Sequence, residues 1–315
     1  MKNIYSNIYS FNTKSLKKTI KSLKRGNIVG LPTETVYGLA GNAYSDKAVY
    51  RIFKLKRRPF KNPLIVHYKS FEDASKDVNL NYNFFKLYKK FCPGPITFIL
   101  KKNKKSKINS LVSAKLKTIA VRFPNHKVIK KILKNINFPL AMPSANISSK
   151  VSPVSAYDVF DEFKKKLKII INGGNSKIGI ESTVVDLTGK PKILRPGIIS
   201  SNEIKYFLKI SLLKKNLKIK SPGMMKKHYS PGIPVILGKK PYHSDHAYIV
   251  FGQKYKNIKN YFNLSKKGDL KEAAANLYKT LRKIKKRGYK KIFTAKIPNH
   301  GPGLAINDRL KRASK

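Results

Sequence analysis

The densest run of residues able to do chemistry is Pro32-Thr33-Glu34-Thr35-Val36-Tyr37-Gly38, set directly after the apolar stretch Ile28 to Leu31. That stretch reads as a buried strand emptying into a loop. Two hydroxyls and a carboxylate at such a strand end can bind a small polar substrate, because the carboxyl ends of α/β strands open onto a crevice. The same residue types also describe a turn with a threonine helix cap. A second run, Lys56-Arg57-Arg58-Pro59-Phe60-Lys61-Asn62-Pro63-Leu64, puts three consecutive cations beside a rigid proline. It can clamp a triphosphate, or form a solvated basic turn that favours the end of the preceding helix electrostatically.

Further polar groups recur at the ends of apolar runs: His67, Thr118, Arg122 with Pro124, Ser144-Ala145-Asn146, Ser152-Pro153, Ser182-Thr183 and Arg195-Pro196-Gly197. Each alone is a common turn or cap. Arg122 and Arg195 say more, because an unpaired guanidinium at the end of a buried run is costly and an anionic ligand would resolve the cost. Glu181, between Ile180 and Ser182, can orient a hydroxyl, help hold a metal-bound phosphate or make a structural hydrogen bond. Other candidates fail on spacing. Gly173-Gly174-Asn175-Ser176-Lys177 lacks the interval of a phosphate loop. His243 and His246 have no Cys or acid partners at metal-ligand spacing and read as solvated. No Ser, His and Asp set announces a hydrolase, and Cys92, between Phe91 and Pro93, reads as a packed thiol.

The elements that must position these groups follow from periodicity. Leu16, Ile20 and Leu23 fall at helical spacing after Ser15, which can cap them, and Gly26 stops the helix. Ala48, Val49, Ile52 and Phe53 return to that spacing. Strands are expected at Ile65 to His67, Thr97 to Leu100, Ile119 to Arg122, Leu140 to Met142, Ile169 to Ile171 and Val184 to Leu187. With helices between them, these strands predict an α/β domain with a mixed sheet. From about Leu212 the pattern lapses into a lysine-rich stretch, then Ser221-Pro222-Gly223-Met224 and His228-Tyr229-Ser230-Pro231, a linker signature. A second α/β unit follows, with a strand at Tyr248 to Phe251, a helix over Leu270 to Ile284 and a strand at Ile292 to Ala295. Asp269 and Glu272 predict a capping box at that helix start, and Gly288 ends it. So small a unit buries only a modest core and is expected to lean on the first.

The chain has 315 residues, 41% hydrophobic, and a net charge of +54, so a buried core is assured and phosphate-rich partners are invited. The charge is spread over the whole length and does not form a patch. Only ten of the 69 basic residues are Arg. Where so lysine-rich a chain keeps Arg, the site needs a planar, bidentate fork that an ammonium cannot supply. A single cysteine excludes a disulfide framework and multi-cysteine zinc or iron-sulfur sites, and fits a reducing cytoplasm. No apolar run approaches the roughly 20 residues of a membrane span.

Taken in order, GLPTETVYGLAGNA, IFKLKRRPFKNPLIVH, PGPITFIL, VRFPNH, MPSANISSKVSP, GIESTVVDLT, ILRPG, SPGMMKKHYSP, NLSKKGDLKEAAANLYKTLR and GPGLAINDRLKRA resemble the threonylcarbamoyl-AMP synthase family, whose catalytic domain is of the YrdC type. The resemblance spans nearly the whole chain and points to the long, two-domain form. It implies a YrdC-like twisted open mixed sheet with helices at 1–211, a linker or lid at 212–234, and a smaller Rossmann-like α/β domain at 235–315. It also implies that Thr35, His67, Arg122, Met142 and Ser182 surround L-threonine, with Arg122 on the carboxylate and the Met142 backbone making a polar contact. Arg58, Asn62, Thr118, Ser144, Ser152 and Arg195 would hold ATP, Lys56 and Arg58 would act on its phosphates, and Tyr229, or its neighbour His228, would close over the nucleotide. Arg57 replaces the family's usual glycine, which would add charge beside the nucleotide site, and Cys92 replaces its usual tryptophan.

The chemistry implied by that resemblance needs no protein nucleophile. The threonine amine captures carbon dioxide from bicarbonate, and the carbamate oxygen attacks the α-phosphorus of ATP as pyrophosphate leaves. The site's work is to hold two anions in line and neutralise the phosphates, with Mg2+ carried mainly by the triphosphate. A downstream threonylcarbamoyl transferase would take the product to tRNA, and the charge motivates direct tRNA contact. Two other readings compete: an RNA-binding module without catalysis, which would leave the polar groups at strand ends unexplained, and the carbamoyl transfer of hydrogenase maturation, whose cysteine motifs are missing here.

Overall fold

The computed structural model describes residues 4–209, 228–255 and 258–315; most of the expected linker, including Ser221-Pro222-Gly223-Met224, lies outside them. The larger lobe runs through β1 (Ile8–Ser10), α1 (Thr13–Lys24), β2 (Val29–Leu31), β3 (Gly38–Asn42), α2 (Asp46–Lys56), β4 (Ile65–His67), α3 (Phe71–Ser75) and α4 (Tyr82–Phe91). It continues with β5 (Ile96–Lys101), β6 (Thr118–Arg122), α5 (Lys127–Lys134), β7 (Leu140–Ala141), α6 (Ala156–Phe163), β8 (Ile170–Asn172), β9 (Thr183–Asp186), β10 (Lys192–Arg195) and α7 (Ser201–Leu208). The smaller lobe holds β11 (Val235–Leu237), β12 (His246–Val250), β13 (Tyr261–Asn263), α8 (Leu270–Lys286), β14 (Lys291–Thr294) and α9 (Pro302–Ala313).

The first ten strands form one mixed sheet in the order β1-β8-β2-β3-β7-β4-β6-β5-β9-β10. β4 runs parallel to β6 and pairs His67 with Arg122, while antiparallel β5 pairs Thr97 with the same Arg122. Side chains alternate across a strand, so the centre of the sheet has two unlike faces. Val66, Phe98, Val121 and Val185 point into the main apolar core. Ile65, Ile99, Ala120 and Val184 form a smaller cluster on the other face, which His67 and Arg122 share by the same period of two. The main core also takes Ile204 and Leu208 of α7, so that helix packs with the larger lobe.

The remaining four strands make an all-parallel sheet, β11-β14-β12-β13. Its core does not stop at the lobe boundary. Ala273, Ala274, Leu277, Tyr278, Ile306 and Leu310 of α8 and α9 pack in one cluster with Val36, Val151, Val154 and Ile180 of the larger lobe. Gly179 makes the close approach feasible: a Cβ there would stand 2.6 Å from the backbone of Ala275 in α8, and its φ of +75° suits glycine. The small unit does lean on the large one, as its size requires.

Several local expectations are corrected. Asn12, and not Ser15, caps α1; Ser15 fills the third helical position, and the two side chains each accept from the other's amide. Asp269 caps α8 through the amides of Lys271 and Glu272, but Glu272 does not close a box, because its carboxylate accepts from Ser265 Oγ at 2.5 Å. His246 is buried at the start of β12, its ring packed on Phe293. Among the described residues no helix is long and apolar enough to cross a membrane.

Candidate active site

A cavity opens on the polar face of the large sheet, between the Thr33–Gly38 turn, β4, β6, the Met142–Ser144 loop and the segment at His228 and Tyr229. Arg58, His67, Arg122, Met142, Ser144, Arg195 and Tyr229 of the expected set line it, together with Glu181 and His228. Thr33, Val36 and Gly38, from the run that the sequence marks as substrate-binding, complete the wall with Ile65 and Pro143. Its free volume is about 40 Å³.

The Thr33–Gly38 segment is both a turn and a wall. Thr33 Oγ1 locks the turn by donating to the Val36 carbonyl (2.6 Å) and lies 2.9 Å from Thr35 Oγ1. Thr35 Oγ1 and Glu34 Oε1 then accept from Arg122 Nη2 at 2.8 and 2.7 Å. Glu34 Oε2 accepts from the Asn125 amide, so the carboxylate is held on both oxygens. Arg122 keeps a buried Nε with no partner among the described residues. Beside it His67 is 1% exposed, and among the described residues both ring nitrogens are without partners. Burial, reinforced by Arg122, holds its pKa well below the ordinary value, so the ring is neutral.

Two arginines make the cationic side of the site. Arg58 Nε and Nη2 donate to the Asn62 carbonyl, the Asn62 side chain and the Pro63 carbonyl at 2.6–2.9 Å, which aims the guanidinium from the turn after α2. Arg195, from the end of β10, donates from Nε and Nη2 to the Ser182 carbonyl and from Nη2 to Ser182 Oγ, itself 2.7 Å from Thr97 Oγ1. Burial first, and the neighbouring Arg195 second, depress the Arg58 pKa to about 9. Two desolvated guanidiniums facing one cavity are an unstable arrangement that an anion relieves.

Other expected residues do not line the cavity, most lying one step behind its wall and Thr118 well away from it. Lys56 does not line the cavity; its Nζ donates to the carbonyls of Ser144 and Asn146 at 2.5 Å each, fixing the loop that carries Ser144. Burial, then Arg58, push its pKa well down. Asn62, Thr35 and Ser182 accept hydrogen bonds from Arg58, Arg122 and Arg195 respectively. Ser152 donates to Glu181 Oε1 at 2.6 Å. Thr118 is half-buried at the start of β6, about 13 Å back along the strand from Arg122. The Met142 amide is already spent on the Ile65 carbonyl, so only its own carbonyl remains for a ligand. Gly38 leaves room for the Met142 side chain, which a Cβ would meet at 2.4 Å.

Arg57 lies elsewhere. It is exposed, in the left-handed conformation at φ +50°, and lines a groove with Arg51, Lys54, Lys166 and Lys168 that is distinct from the cavity, so it adds no charge to the cavity wall. The residues that sequence reading missed come from the small lobe. Tyr278 Oη donates to Glu181 (2.9 Å to Oε2), and Arg309 Nε donates to the same oxygen at 3.2 Å. Arg309 is one of the ten arginines of this lysine-rich chain, and that rarity is the signal in the sequence that points to it. The glycine-rich run at Gly173 serves Tyr37, whose hydroxyl donates to the Gly174 carbonyl. Among the described residues no group of three or more His, Cys, Asp or Glu could hold a metal ion.

A mixed α/β sheet with guanidiniums converging on a half-polar cavity defines a protein that binds small anionic substrates. The chain belongs to the threonylcarbamoyl-AMP synthase family. The family model described as Telomere recombination, covering the Sua5, YciO and YrdC proteins, matches residues 21–197, and the threonylcarbamoyl-AMP synthase C-terminal domain matches residues 199–315. The threonylcarbamoyl-AMP synthase of Pyrococcus abyssi is 37% identical over 93% of this chain and 92% of its own, and that of Bacillus subtilis 32% over 97% and 94%. The crystal structure of P. abyssi Sua5 complexed with L-threonine superposes with a TM-score of 0.88 at 34% identity, covering 98% of this chain and 96% of that one.

Proposed function

We propose that this chain converts L-threonine, bicarbonate and ATP to threonylcarbamoyl-AMP and pyrophosphate, the activated donor for threonylcarbamoyladenosine in tRNA. The family and its relatives' shared name support the activity, and the P. abyssi relative was crystallised with L-threonine. The observation that carries the mechanism is the convergence of Arg58, Arg122 and Arg195 on one cavity beside a neutral, unpartnered His67.

Arg122 takes the threonine carboxylate with the nitrogens that Glu34 and Thr35 leave over, and His67 meets the polar groups next to it. Arg58 and Arg195 take the phosphates of ATP. The neutral amine bonds to the bicarbonate carbon and water leaves, taking one hydrogen from the amine and an OH from bicarbonate, so the carbamate keeps the single negative charge; the carbamate oxygen then bonds to the α-phosphorus as the bond to pyrophosphate breaks. The protein contributes positioning and charge neutralisation, and positioning alone is worth about 7 to 11 kcal/mol of barrier. Glu181 is the one acid on the cavity wall among the described residues, and it is fully engaged by Ser152, Tyr278 and Arg309. Mg2+ would therefore be carried by the triphosphate oxygens and neutralise them there. Tyr229 and His228 stand on the cavity wall and serve as the lid that withdraws for ATP and returns. A closed lid keeps water from the mixed anhydride.

The product must pass to a threonylcarbamoyl transferase. The groove at Arg51, Lys54, Arg57, Lys166 and Lys168 offers a surface for direct tRNA contact, which fails as an idea if anisotropy at low salt detects no binding. The activity itself is tested by pyrophosphate release from ATP with threonine and bicarbonate each omitted in turn. Both omissions abolish release if the reading holds, and release that ignores either one ends it.

A further inference from the structure

The groove beside α2 that holds Arg57 has a floor as well as a charged rim. Its free volume is about 490 Å³, within the range of about 300 to 1,000 Å³ usual for small-molecule clefts. Ile28, Leu55, Ile147 and Phe163 give it apolar surface, the first three only half-buried although they pack on the main core. Arg51, Lys54, Arg57, Lys166 and Lys168 supply its charge. Glu162 is its one acid among the described residues, and it is already engaged: Arg282 Nη2 and the Ile147 amide each lie 3.3 Å from its carboxylate. The charge left over is strongly positive.

The two arginines say what kind of anion would balance it. Arg51 donates from Nη1 to the Gly26 carbonyl at 3.0 Å and to Asn27 Oδ1 at 2.7 Å, which fixes its guanidinium in the groove wall. Arg57 stands at φ +50°, a conformation that glycine takes freely and a side chain does not. Its side chain is exposed, so burial does not repay the strain. Strain kept at such a position points to a task outside the chain's own packing. Most cations here are lysines, yet two of the ten arginines share this groove, and a guanidinium grips phosphate through two parallel hydrogen bonds.

We infer that the groove is a second ligand site, for a free nucleoside polyphosphate, with the arginines and lysines on the phosphates and the apolar floor under the base. The inference goes beyond the synthase reading and does not depend on it. Five cations facing one engaged acid call for more than one negative charge. A floor of aliphatic and aromatic carbon gives an inorganic anion nothing to bury, but it suits the face of a ring, with Ser22 and Asn27 at hand for the ring's polar edge. Duplex RNA keeps its bases paired and can meet the cations but not the floor, so tRNA laid across the groove would compete with the nucleotide. The groove and the catalytic cavity use different side chains of one turn. Lys54, Leu55 and Arg57 line the groove, while Lys56 holds the Ser144 and Asn146 carbonyls and Arg58 lines the cavity.

Calorimetric titration of the full-length protein with α,β-methylene-ATP and Mg2+ tests this, because the analogue cannot release pyrophosphate. The wild type is expected to bind two molecules per chain. Arg57→Gly should weaken one site about tenfold or more, as loss of a charged hydrogen bond does, and Arg57→Gly with Lys54→Ala should abolish it. Both side chains are exposed, so these variants fold, and their pyrophosphate release near the KM for ATP should stay within about twofold of wild type. Arg58→Ala should spare the groove site. Leu55→Gln, which leaves the charge unchanged, should cut the groove's preference for the analogue over inorganic triphosphate about fivefold. The inference is overturned if no site is lost in Arg57→Gly with Lys54→Ala, or if inorganic triphosphate binds the groove as tightly as the nucleotide. It is also overturned if that variant loses tRNA affinity while its nucleotide stoichiometry stays at the wild-type value, which would assign the groove to RNA. Dependence on threonine and bicarbonate is scored separately, so failure here leaves the activity standing.

Discussion

Arg122 and Glu34 form a buried ion pair with an Nη2 to Oε1 distance of 2.7 Å, yet the guanidinium is only partly used: Thr35 shares the same nitrogen, and Nε has no partner. A carboxylate that occupies one edge of an arginine fork fixes its orientation and leaves another edge for a ligand.

Arg122→Ala should therefore raise the apparent constant for threonine far more than that for ATP. A hydrogen bond to a charged group contributes about 1.5 to 3 kcal/mol, which corresponds to roughly a 10- to 150-fold rise. The variant also leaves Glu34 buried without its cation, so its melting temperature should fall. Pyrophosphate release titrated with each substrate separates the two effects; equal rises for threonine and ATP would remove Arg122 from the threonine side.

Arg57→Gly should stabilise the protein. Arg57 is the C-cap of α2 at φ +50° and ψ +45°, where a Cβ is penalised by about 1 to 2 kcal/mol and glycine is not. Part of that gain is offset by the greater freedom of glycine in the unfolded chain, leaving a rise of a few degrees in Tm. Because the side chain faces the separate basic groove, KM for ATP should stay within about twofold. A melting curve that moves down would show the side chain making contacts that outweigh the strain.

The same position shows how far sequence carries. The period of four apolar residues in α2, and the short β-branched runs of β4 to β6, are read directly from local pattern, as are the glycine stops after α1 and α8. β3 escaped, since Gly38-Leu39-Ala40-Gly41-Asn42 has neither alternation nor branching; it is a strand because β2 and β7 flank it, and its Gly41 lets Ile52 and Ala48 of α2 press close. α9 escaped too, because it begins at Pro302 without a side-chain cap. At the site, residues that close a single element were legible: His67, Arg122 and Arg195 at strand ends and Arg58 just after α2 all line the cavity. The partners of Glu181 were not, because Tyr278 and Arg309 lie 97 and 128 residues away along the chain.

Acid should unfold the wild type more steeply than Glu181→Gln. Burial alone would raise the Glu181 pKa, but Arg309, Arg195 and the Ser152 hydroxyl outweigh it and hold the carboxyl at about 2, against an ordinary 4.5. A depressed carboxylate contributes stability that is present above the unfolded value and lost as pH falls from about 4.5 toward 2, here roughly 3 kcal/mol in all. The wild type is the more stable protein near neutrality, since the substitution leaves Arg309 buried without its anion. Melting curves from pH 6 to 3 should show that advantage shrinking below pH 4.5, and a constant difference would mean that Glu181 is not held ionised by its neighbours.

Gly179→Ala should strike docking without touching the cavity wall. Gly179 lies just before Ile180 and Glu181, and the two lobes meet there backbone to backbone: a Cβ would stand 2.6 Å from both the Ala275 Cα and carbonyl oxygen in α8. Backbone cannot swing aside as a side chain can, so either α8 shifts or the loop carrying Glu181 does. The φ of +75° adds strain whichever moves. Overpacking of this kind typically costs about 1 to 3 kcal/mol, so Tm should fall by several degrees. The apolar cluster that joins Val36, Val151 and Ile180 to Leu277 and Ile306 should loosen with it. Hydrogen exchange would then report faster exchange in α8 and in the 178–182 segment, while β4 and β6 keep wild-type protection. Unchanged exchange in α8 alongside a lowered Tm would place the damage within the larger lobe and not at its contact with the smaller one.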